Sequence, residues 1–482
     1  MKTIYKHLIS GVLLTCAVAG FAQQEASRSA YFLDGYTFRH NLNPAFGGEY
    51  NYVSIPGIAN IGVAAQSNVG LSDFIYEKSN GQLTTFMNSS VNAESFLSGL
   101  QSNNKITSNI SLTLVSSGFK GFNGFNTVSL SVRTNIGVAL PYDLFKFMKV
   151  GQDGDNTNYD LSGIRVNAKA YGELALGHQH QVSKDVSVGG KLKVLLGAGY
   201  VDANIDRMDV SMNDERWQIV GKGQMNMAAG KGLIVPTNAE VGKRLDRPQR
   251  SNQISFDDID YDNFNLTGFG LGIDMGVVWD MHKFVKGLKV SASLLDLGFL
   301  KWNNAVTAAT PETTWSFGGF QEVAVDSGTP NYEDNKIGTQ FDNMKDSFID
   351  CMNFQRTGVG ASKTTALNAT MLLGAEYEMP FYKGLTAGFL YTQYFAGPFS
   401  SSEGRFSANV KPTKWFDATI NYGASNFGSS FGWMLNFHPR GVNFFIGSDH
   451  QFFKVNKQFI PVGKASAAIN LGISVTFGAR KG

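Results

Sequence analysis

Near the C-terminus, Ile469, Leu471, Ile473, Val475 and Phe477 alternate without a break with Asn470, Gly472, Ser474 and Thr476. Successive side chains of a strand point to opposite faces, so this stretch predicts a strand with one apolar and one polar face. The same phase recurs along the chain. Val128, Leu130, Val132, Ile136, Val138 and Leu140 stand opposite Thr127, Ser129, Ser131, Arg133, Asn135 and Gly137. Ile164, Val166, Ala168, Ala170, Leu174 and Leu176 oppose Arg165, Asn167, Lys169, Tyr171 and Glu173, and Val188, Leu192, Val194, Leu196 and Ala198 oppose Lys191 and Lys193. Phe269, Leu271, Ile273, Met275 and Val277 oppose a face of glycines that also carries Asp274, and Leu367, Ala369, Met371, Leu373 and Tyr377 oppose Asn368, Thr370, Gly374, Glu376 and Glu378.

An apolar face can meet the core of a sandwich or the lipid around a closed barrel. Two observations favour the barrel. The alternating stretches exceed the roughly 5–6 residues of a soluble strand and suit the roughly 9–11 a tilted strand needs to cross a bilayer. Charged residues are only 17% of the 482, below the roughly 25% usual in soluble domains. On a barrel, the mixed-sign face lines a lumen braced by ion pairs; on a soluble sheet it would face water. A net charge of +2 gives no basic footprint for nucleic acid.

Loop parity points the same way. Short connectors fall at 119–125, 179–185, 280–287, 379–384, 411–415 and 439–441, and longer or more variable ones at 67–105, 141–160, 207–262, 303–364, 397–403, 426–430 and 453–465. Short periplasmic turns with longer outer loops are the outer-membrane pattern, and these connections imply about fourteen strands. Residues 217–227 are strand-like and are read as an excursion inside the third long loop, because two more strands would need another short turn. The expected fold is thus an all-β, transmembrane, antiparallel up-and-down barrel with long extracellular loops.

The first residues carry a basic start, an apolar run to Phe21 and small residues at Gly20 and Ala22, so 1–22 reads as a signal peptide cleaved after Ala22. Cys16 raises lipoprotein processing as the alternative, with Thr15 before it a poor fit. The mature chain keeps Cys351 alone and so has no intramolecular disulfide. Residues 23–50 lack strand alternation and are the candidate plug of a barrel, at 51–482, too wide for its wall side chains to fill.

Asn43, Pro44, Ala45 and Phe46 resemble the Asn-Pro-Ala element in the hatch of FadL-like long-chain fatty-acid and hydrocarbon transporters. The stretches 172–180 (GELALGHQH), 188–193 (VGGKLK) and 291–298 (SASLLDLG) look like a Bacteroidota branch of these barrels. Those at 28–36 (RSAYFLDGY) and 435–442 (LNFHPRGV) are similar to an uncharacterised outer-membrane family of that phylum. The resemblance implies a fourteen-strand barrel in the outer membrane whose hatch residues Asn43, Pro44, Ala45 and Phe46 shift as a small hydrophobic molecule passes. The lumen charges would be Arg133, Arg165, Lys169, Glu173, Lys191, Lys193, Asp274, Asp296, Glu376 and Glu378. A related secretion-associated branch implies the rival role, binding an exported protein partner.

Other chemistry is thinner. His178 and His180 could share a metal but lack further ligands in the pattern. Asp153, Asp155 and Asp160, and Asp257, Asp258, Asp260 and Asp262, are dense enough to hold Ca²⁺ or simply to solvate a loop. Gly268, Gly270 and Gly272 depart from the dinucleotide spacing and more simply leave room for the hatch. No Gly-x-Ser-x-Gly elbow is present and the histidines have no evident nucleophile partner, which leaves an outer-membrane hydrolase as a minor alternative to a non-enzyme without cofactor. Trp279, Trp302, Trp415, Phe416, Phe437 and Phe444 are expected at strand ends as an interfacial girdle. Short amphipathic helices at 93–100 and 143–148 are expected to roof an outer entrance.

Overall fold

The computed structural model describes residues 27–478 apart from 79, 155, 230–265, 321–322, 325, 329–330 and 452–463. The signal peptide and the acidic run at 257–262 therefore lie outside the described residues.

Fourteen strand positions close into one antiparallel barrel. They are β1 (Asn51–Ser54 and Asn60–Gly70), β2 (Asn103–Gly121), β3 (Gly124–Pro141), β4 (Thr157–Asp160 and Arg165–Gln181), β5 (Val186–Met212), β6 (Trp217–Ala229 and Gly268–Asp280) and β7 (Leu288–Phe317). They continue as β8 (Gln355–Ala366 and Thr370–Glu378), β9 (Leu385–Tyr394), β10 (Ser401–Thr413), β11 (Phe416–Ser425), β12 (Gly428–Phe437), β13 (Val442–Gln451) and β14 (Lys464–Phe477). Each strand pairs with the next, and β14 pairs back onto β1, as in Val53↔Val475 and Val63↔Ile469. Closure leaves no edge, the condition for a sheet in lipid.

The segment read as a loop excursion, 217–227, is instead the upper half of β6. Trp217–Ala229 pairs with β5 from Met212 to Gly199, and Gly268–Asp280 continues down the same partner from Gly197. The strand count stays at fourteen because the third connector splits into a short turn at 213–216 and an insertion within β6. The loops assigned to 207–262 and 303–364 were too long for a related reason: β5, β6 and β7 run well beyond the apolar belt. On that belt Leu192, Leu196, Leu271 and Ile273 are exposed to the outside. Above it the face opposite the lumen is covered, where Met225, Met227, Val306 and Ala308 form a buried cluster with Val201, Ala203 and Phe354, while Asp202 keeps the lumen phase and bonds to Asn167 and Tyr200. The exposed apolar belt ends below this level.

The short turns carry Phe122, Phe284, Phe381 and Trp415, 82%, 71%, 77% and 50% exposed, as an interfacial ring on the periplasmic side. Phe122 and Asn123 both have positive φ, the conformation a two-residue hairpin turn needs to match strand twist. Outside, α1 (Ala93–Leu97) and α2 (Tyr142–Val150) pack through Phe96 and Phe145 with Phe74 and Phe86. Asn92 caps α1 by accepting the Ser95 amide. A third helix, α3 (Ile337–Met352), lies on β7, where Trp315 stacks edge-on against Phe348. The outer loops thus form a folded crown with its own apolar core.

Candidate functional site: the filled lumen

Residues 27–46 lie inside the barrel and touch its wall on almost every side. Two single 3₁₀ turns, Arg28–Ala30 and Arg39–Asn41, compact the segment, and Tyr31, Phe38 and Ala30 are fully buried. On the periplasmic half the contact is apolar. Tyr31, Phe32, Leu33, Tyr36, Phe38, Leu42 and Phe46 form one cluster with the inward wall residues Tyr52, Phe125, Leu295, Leu372, Leu390, Met434 and Phe445. Edge-on ring pairs Tyr36–Phe445 and Tyr31–Phe46, with centroids 4.8 and 5.2 Å apart, fix the orientation.

Asn43 closes this end. Its side-chain amide donates to the carbonyls of Val277 (3.3 Å) and Ala292 (3.2 Å), and its Oδ1 accepts the Ala45 amide at 2.9 Å. Two wall glycines make room: a Cβ at Gly276 would sit 2.0 Å from Asn43 Oδ1, and one at Gly189 would sit 2.1 Å from the Pro44 carbonyl oxygen. Gly268, Gly270 and Gly272 serve wall packing instead, against Trp302, Leu300 and Leu367. Trp302 is not a girdle residue but is fully buried, stacked on Tyr200 at 5.3 Å and donating to Thr365.

Above the apolar layer lies a charged one. Arg133 reaches Glu173 and Asp296, each at 3.1 Å; Lys193 reaches Asp296 at 2.6 Å, Asp274 at 2.8 Å and Glu173 at 3.8 Å. Asp296 sits on a bulge of β7 with φ 58°, where the pairing slips between Ile273 and Met275, and this turns its carboxylate into the cluster. Its own amide donates to Asp274 Oδ1. Lys191 donates to Asn41 of the N-terminal segment, and Lys169 crosses to the Ala366 carbonyl on β8. Glu376 is buried at the periplasmic end, while Arg165 and Glu378 share the inward phase but are exposed near strand ends, apart from the cluster.

A second buried group holds the start of the segment. Asp449 accepts the amides of Arg28 (2.8 Å) and Ser29 (2.7 Å) and the Ser27 hydroxyl, capping the first turn. The Arg28 guanidinium lies 3.4 Å from Glu403 and 2.8 Å from His450 Nε2, and Arg405 pairs with the same Glu403 at 2.8 Å. These wall residues were missed by sequence reasoning although the signal was there: Glu403 and Arg405 share a face of β10 with Asn409, and Asp449 shares one with Asn443 and Phe445. The N-terminal partners had no such periodicity to reveal them.

Between the two halves the wall and segment enclose a cavity of only ≈50 Å³, lined by Arg133, Asp296, Asn109, Asn135 and Tyr394 among others. Larger cavities, ≈500 and ≈680 Å³, open below the segment on the periplasmic side. His178 and His180 stack 6.1 Å apart, with His178 bonded to Asn126. Among the described residues no group of three or more His, Cys, Asp or Glu could hold a metal ion. His40, His438 and His450 find Tyr52, Asp417, and Arg28 with Gln66 as their polar partners.

A closed antiparallel wall, lipid-facing outside and charged within, defines the class: an outer-membrane β-barrel with its N-terminal segment folded into the lumen. The chain belongs to the family of unknown function DUF5723, whose sequence model matches residues 44–449. No curated protein matches it. It is similar to solved structures including the toluene transporter TodX of P. putida (6% identity over 91% of this chain and 93% of that one, TM-score 0.38). Others are the toluene transporter TbuX of Ralstonia pickettii (8%, 91% and 92%, 0.39) and a FadL homologue of Pseudomonas aeruginosa (10%, 95% and 99%, 0.38). At such scores the likeness carries no argument, and the barrel rests on its own strand register.

Proposed function

We propose that residues 27–46 are a plug and that the protein passively carries a small hydrophobic solute across the outer membrane when the plug shifts. In this reading residues 1–22 are a cleaved signal peptide and Asn43, Pro44, Ala45 and Phe46 belong to the moving part. The observation that carries it is the apolar character of the plug's seat. Leu295, Leu372, Leu390, Met434 and Phe445 point into the lumen, where a pore for polar solutes would present groups that bind water. Moving the aromatic side chains of the segment would free a cavity with an apolar wall, the lining that hydrophobic ligands need. The charged layer then acts as the rigid frame around that seat, and the protein is no enzyme.

The test is uptake of a labelled hydrophobic solute by cells expressing the full chain, a Pro44→Gly variant or a form lacking residues 23–46. Altered uptake is expected in both variants. Unchanged uptake across a panel of solutes sinks the carrier reading.

One observation favours a second reading, a partner-binding component of a surface or secretion apparatus. The cavity between plug and charged layer measures ≈50 Å³ among the described residues, whereas the crown is a large folded outer surface. Co-purification of one protein at fixed stoichiometry, with no change in uptake on plug deletion, would select it.

A further inference from the structure

His178 and His180 stand two residues apart near the periplasmic end of β4, and strand alternation puts them on one face. That face is the outer one. It continues Leu174 and Leu176, exposed on the lipid side, and both imidazoles are exposed as well. The turn that carries Phe122 lies just beyond, since Gly124 at its foot pairs with His180. The pair therefore sits between the end of the apolar belt and the periplasmic aromatic ring, on the outer wall and away from the lumen-filling segment.

The hydrogen bonds around His178 fix which ring nitrogen carries its proton. Asn126, its cross-strand neighbour on β3, donates its side-chain amide to the carbonyls of Gly121 (2.9 Å) and Phe119 (3.4 Å). Only the NH₂ end of an amide donates, so the atom 2.9 Å from His178 Nδ1 is Asn126 Oδ1, an acceptor. Nδ1 is then the protonated nitrogen, and the neutral ring keeps its lone pair on Nε2. An outer partner on one nitrogen with a free lone pair on the other is how a metal-binding imidazole is oriented.

His180 brings a second imidazole to the same place. It forms no hydrogen bond or ion pair among the described residues, and its ring lies 6.1 Å from that of His178, tilted by 25°. Bare backbone flanks both rings, with Gly124 beside His180 and Gly190 beside His178. A Cβ at Gly124 would stand 1.9 Å from the Gln179 carbonyl oxygen and 2.8 Å from His178 Cε1. Histidines at a barrel rim are also ordinary interfacial polar groups. The fixed tautomer, the second unbonded imidazole on the same face and the open flanks together favour ligation.

We propose that His178 and His180 form a two-imidazole site for a borderline divalent transition ion such as Zn²⁺ or Cu²⁺, with water completing the coordination. Imidazole nitrogen suits these ions, whereas Mg²⁺ and Ca²⁺ take oxygen ligands. The rings stand slightly wider than a shared ion requires, because bonds of about 2.0–2.1 Å at a tetrahedral angle put ring centroids about 5 Å apart. Rotation of His180, which no hydrogen bond holds, closes the difference while Asn126 keeps His178 in place.

The experiment uses the full mature chain folded in detergent, purified without a polyhistidine tag and in a Cys351→Ser background so that no thiol competes. Isothermal titration with Zn²⁺ is expected to show one bound ion per chain, and Mg²⁺ none. Asn126→Ala should weaken Zn²⁺ binding about tenfold, the range for loss of an outer partner, and Asn126→Asp, which keeps an acceptor for Nδ1–H, should restore it. His178→Ala and His180→Ala should each weaken it further than Asn126→Ala does. With one equivalent of Cu²⁺, electron paramagnetic resonance should show nitrogen splitting from two imidazoles in the parent chain and from one in either histidine variant. His282→Ala, at another exposed histidine beside Asp280 and Asp185, should leave binding intact. Heat-modifiable gel mobility confirms folding of each variant. Absence of Zn²⁺ binding in the parent chain overturns the proposal, as does binding that survives both histidine substitutions or is lost with His282→Ala instead.

Discussion

Arg28→Ala is the most direct test of what holds the N-terminal segment in the lumen. In the docked state Arg28 and Arg405 balance Glu403 and Asp449, with Arg28 only 6% exposed and its guanidinium 3.4 Å from Glu403 and 3.8 Å from Asp449. Removing Arg28 leaves the two carboxylates facing one guanidinium in a buried site. Deleting one member of a buried pair costs about 3–5 kcal/mol. When the segment leaves, water returns to both carboxylates whichever residue stands at 28, so the whole difference falls on the docked state. At about 1.4 kcal/mol per factor of ten, the open population rises by roughly two to four powers of ten. Ser29→Cys, at a position 2% exposed, provides the reporter in a Cys351→Ser background. Its rate of modification by a water-soluble maleimide follows the opening equilibrium when opening and closing are fast. Adding Glu403→Gln should recover part of the loss, because it removes the stranded charge. Labelling rates within about threefold of each other with and without Arg28 would refute the reasoning and place the anchor in the aromatic layer alone.

Three other outcomes are expected. Leu192→Arg, at a position 65% exposed on the belt of β5, should destabilise the barrel in bilayers by about 2–4 kcal/mol in urea refolding experiments; no loss would mean that this face meets water. Lys193→Met leaves Glu173, Asp274 and Asp296 with Arg133 alone, and should lower the unfolding midpoint by the equivalent of about 3–5 kcal/mol. Gly189→Val places a Cβ against the Pro44 backbone and should raise labelling of the Ser29→Cys reporter while heat-modifiable mobility stays normal; unchanged labelling would show that the 43–46 region can shift without loosening the rest.

The wall was legible because its physics is local. A strand in lipid must alternate, and charges at Arg133, Glu173, Lys193 and Asp274 stand on the inner phase whatever they touch, so phase alone brought together residues that the fold sets within about 4 Å of one another. Asp296, also expected in the lumen, reaches the cluster by a route that alternation does not describe: it stands on a bulge at positive φ, and a bulge shifts the register by one residue. The upper half of β6 was hidden differently. Above the belt the face opposite the lumen is covered, so Met225 and Met227 of Trp217–Ala229 are buried against Val306, Ala308 and Phe354 rather than forming an exposed, lipid-facing stripe. An insertion between its halves then separates them in sequence by more than a typical loop.

The N-terminal segment was recognisable only by what it lacks. Its partners are long-range: Ser27, Arg28 and Ser29 meet residues more than 400 positions away, and nothing in the spacing of 27–46 encodes that. The wall does encode its half of the bargain, since a lumen that presents Phe445 and Leu390 beside Glu403 and Asp449 must be filled by something apolar at one level and basic at another. The segment answers both in order, Arg28 at the charged level and then Tyr31, Phe32, Leu33, Tyr36 and Phe38 at the apolar one. Reversing that order would separate Arg28 from Glu403 and Asp449, whereas Arg39, the cation of the apolar level, carries its own partner Asp34 and lies 3.8 Å over the Phe46 ring. Charge placement on the wall therefore favours the observed direction of threading, with Arg28 as its anchor.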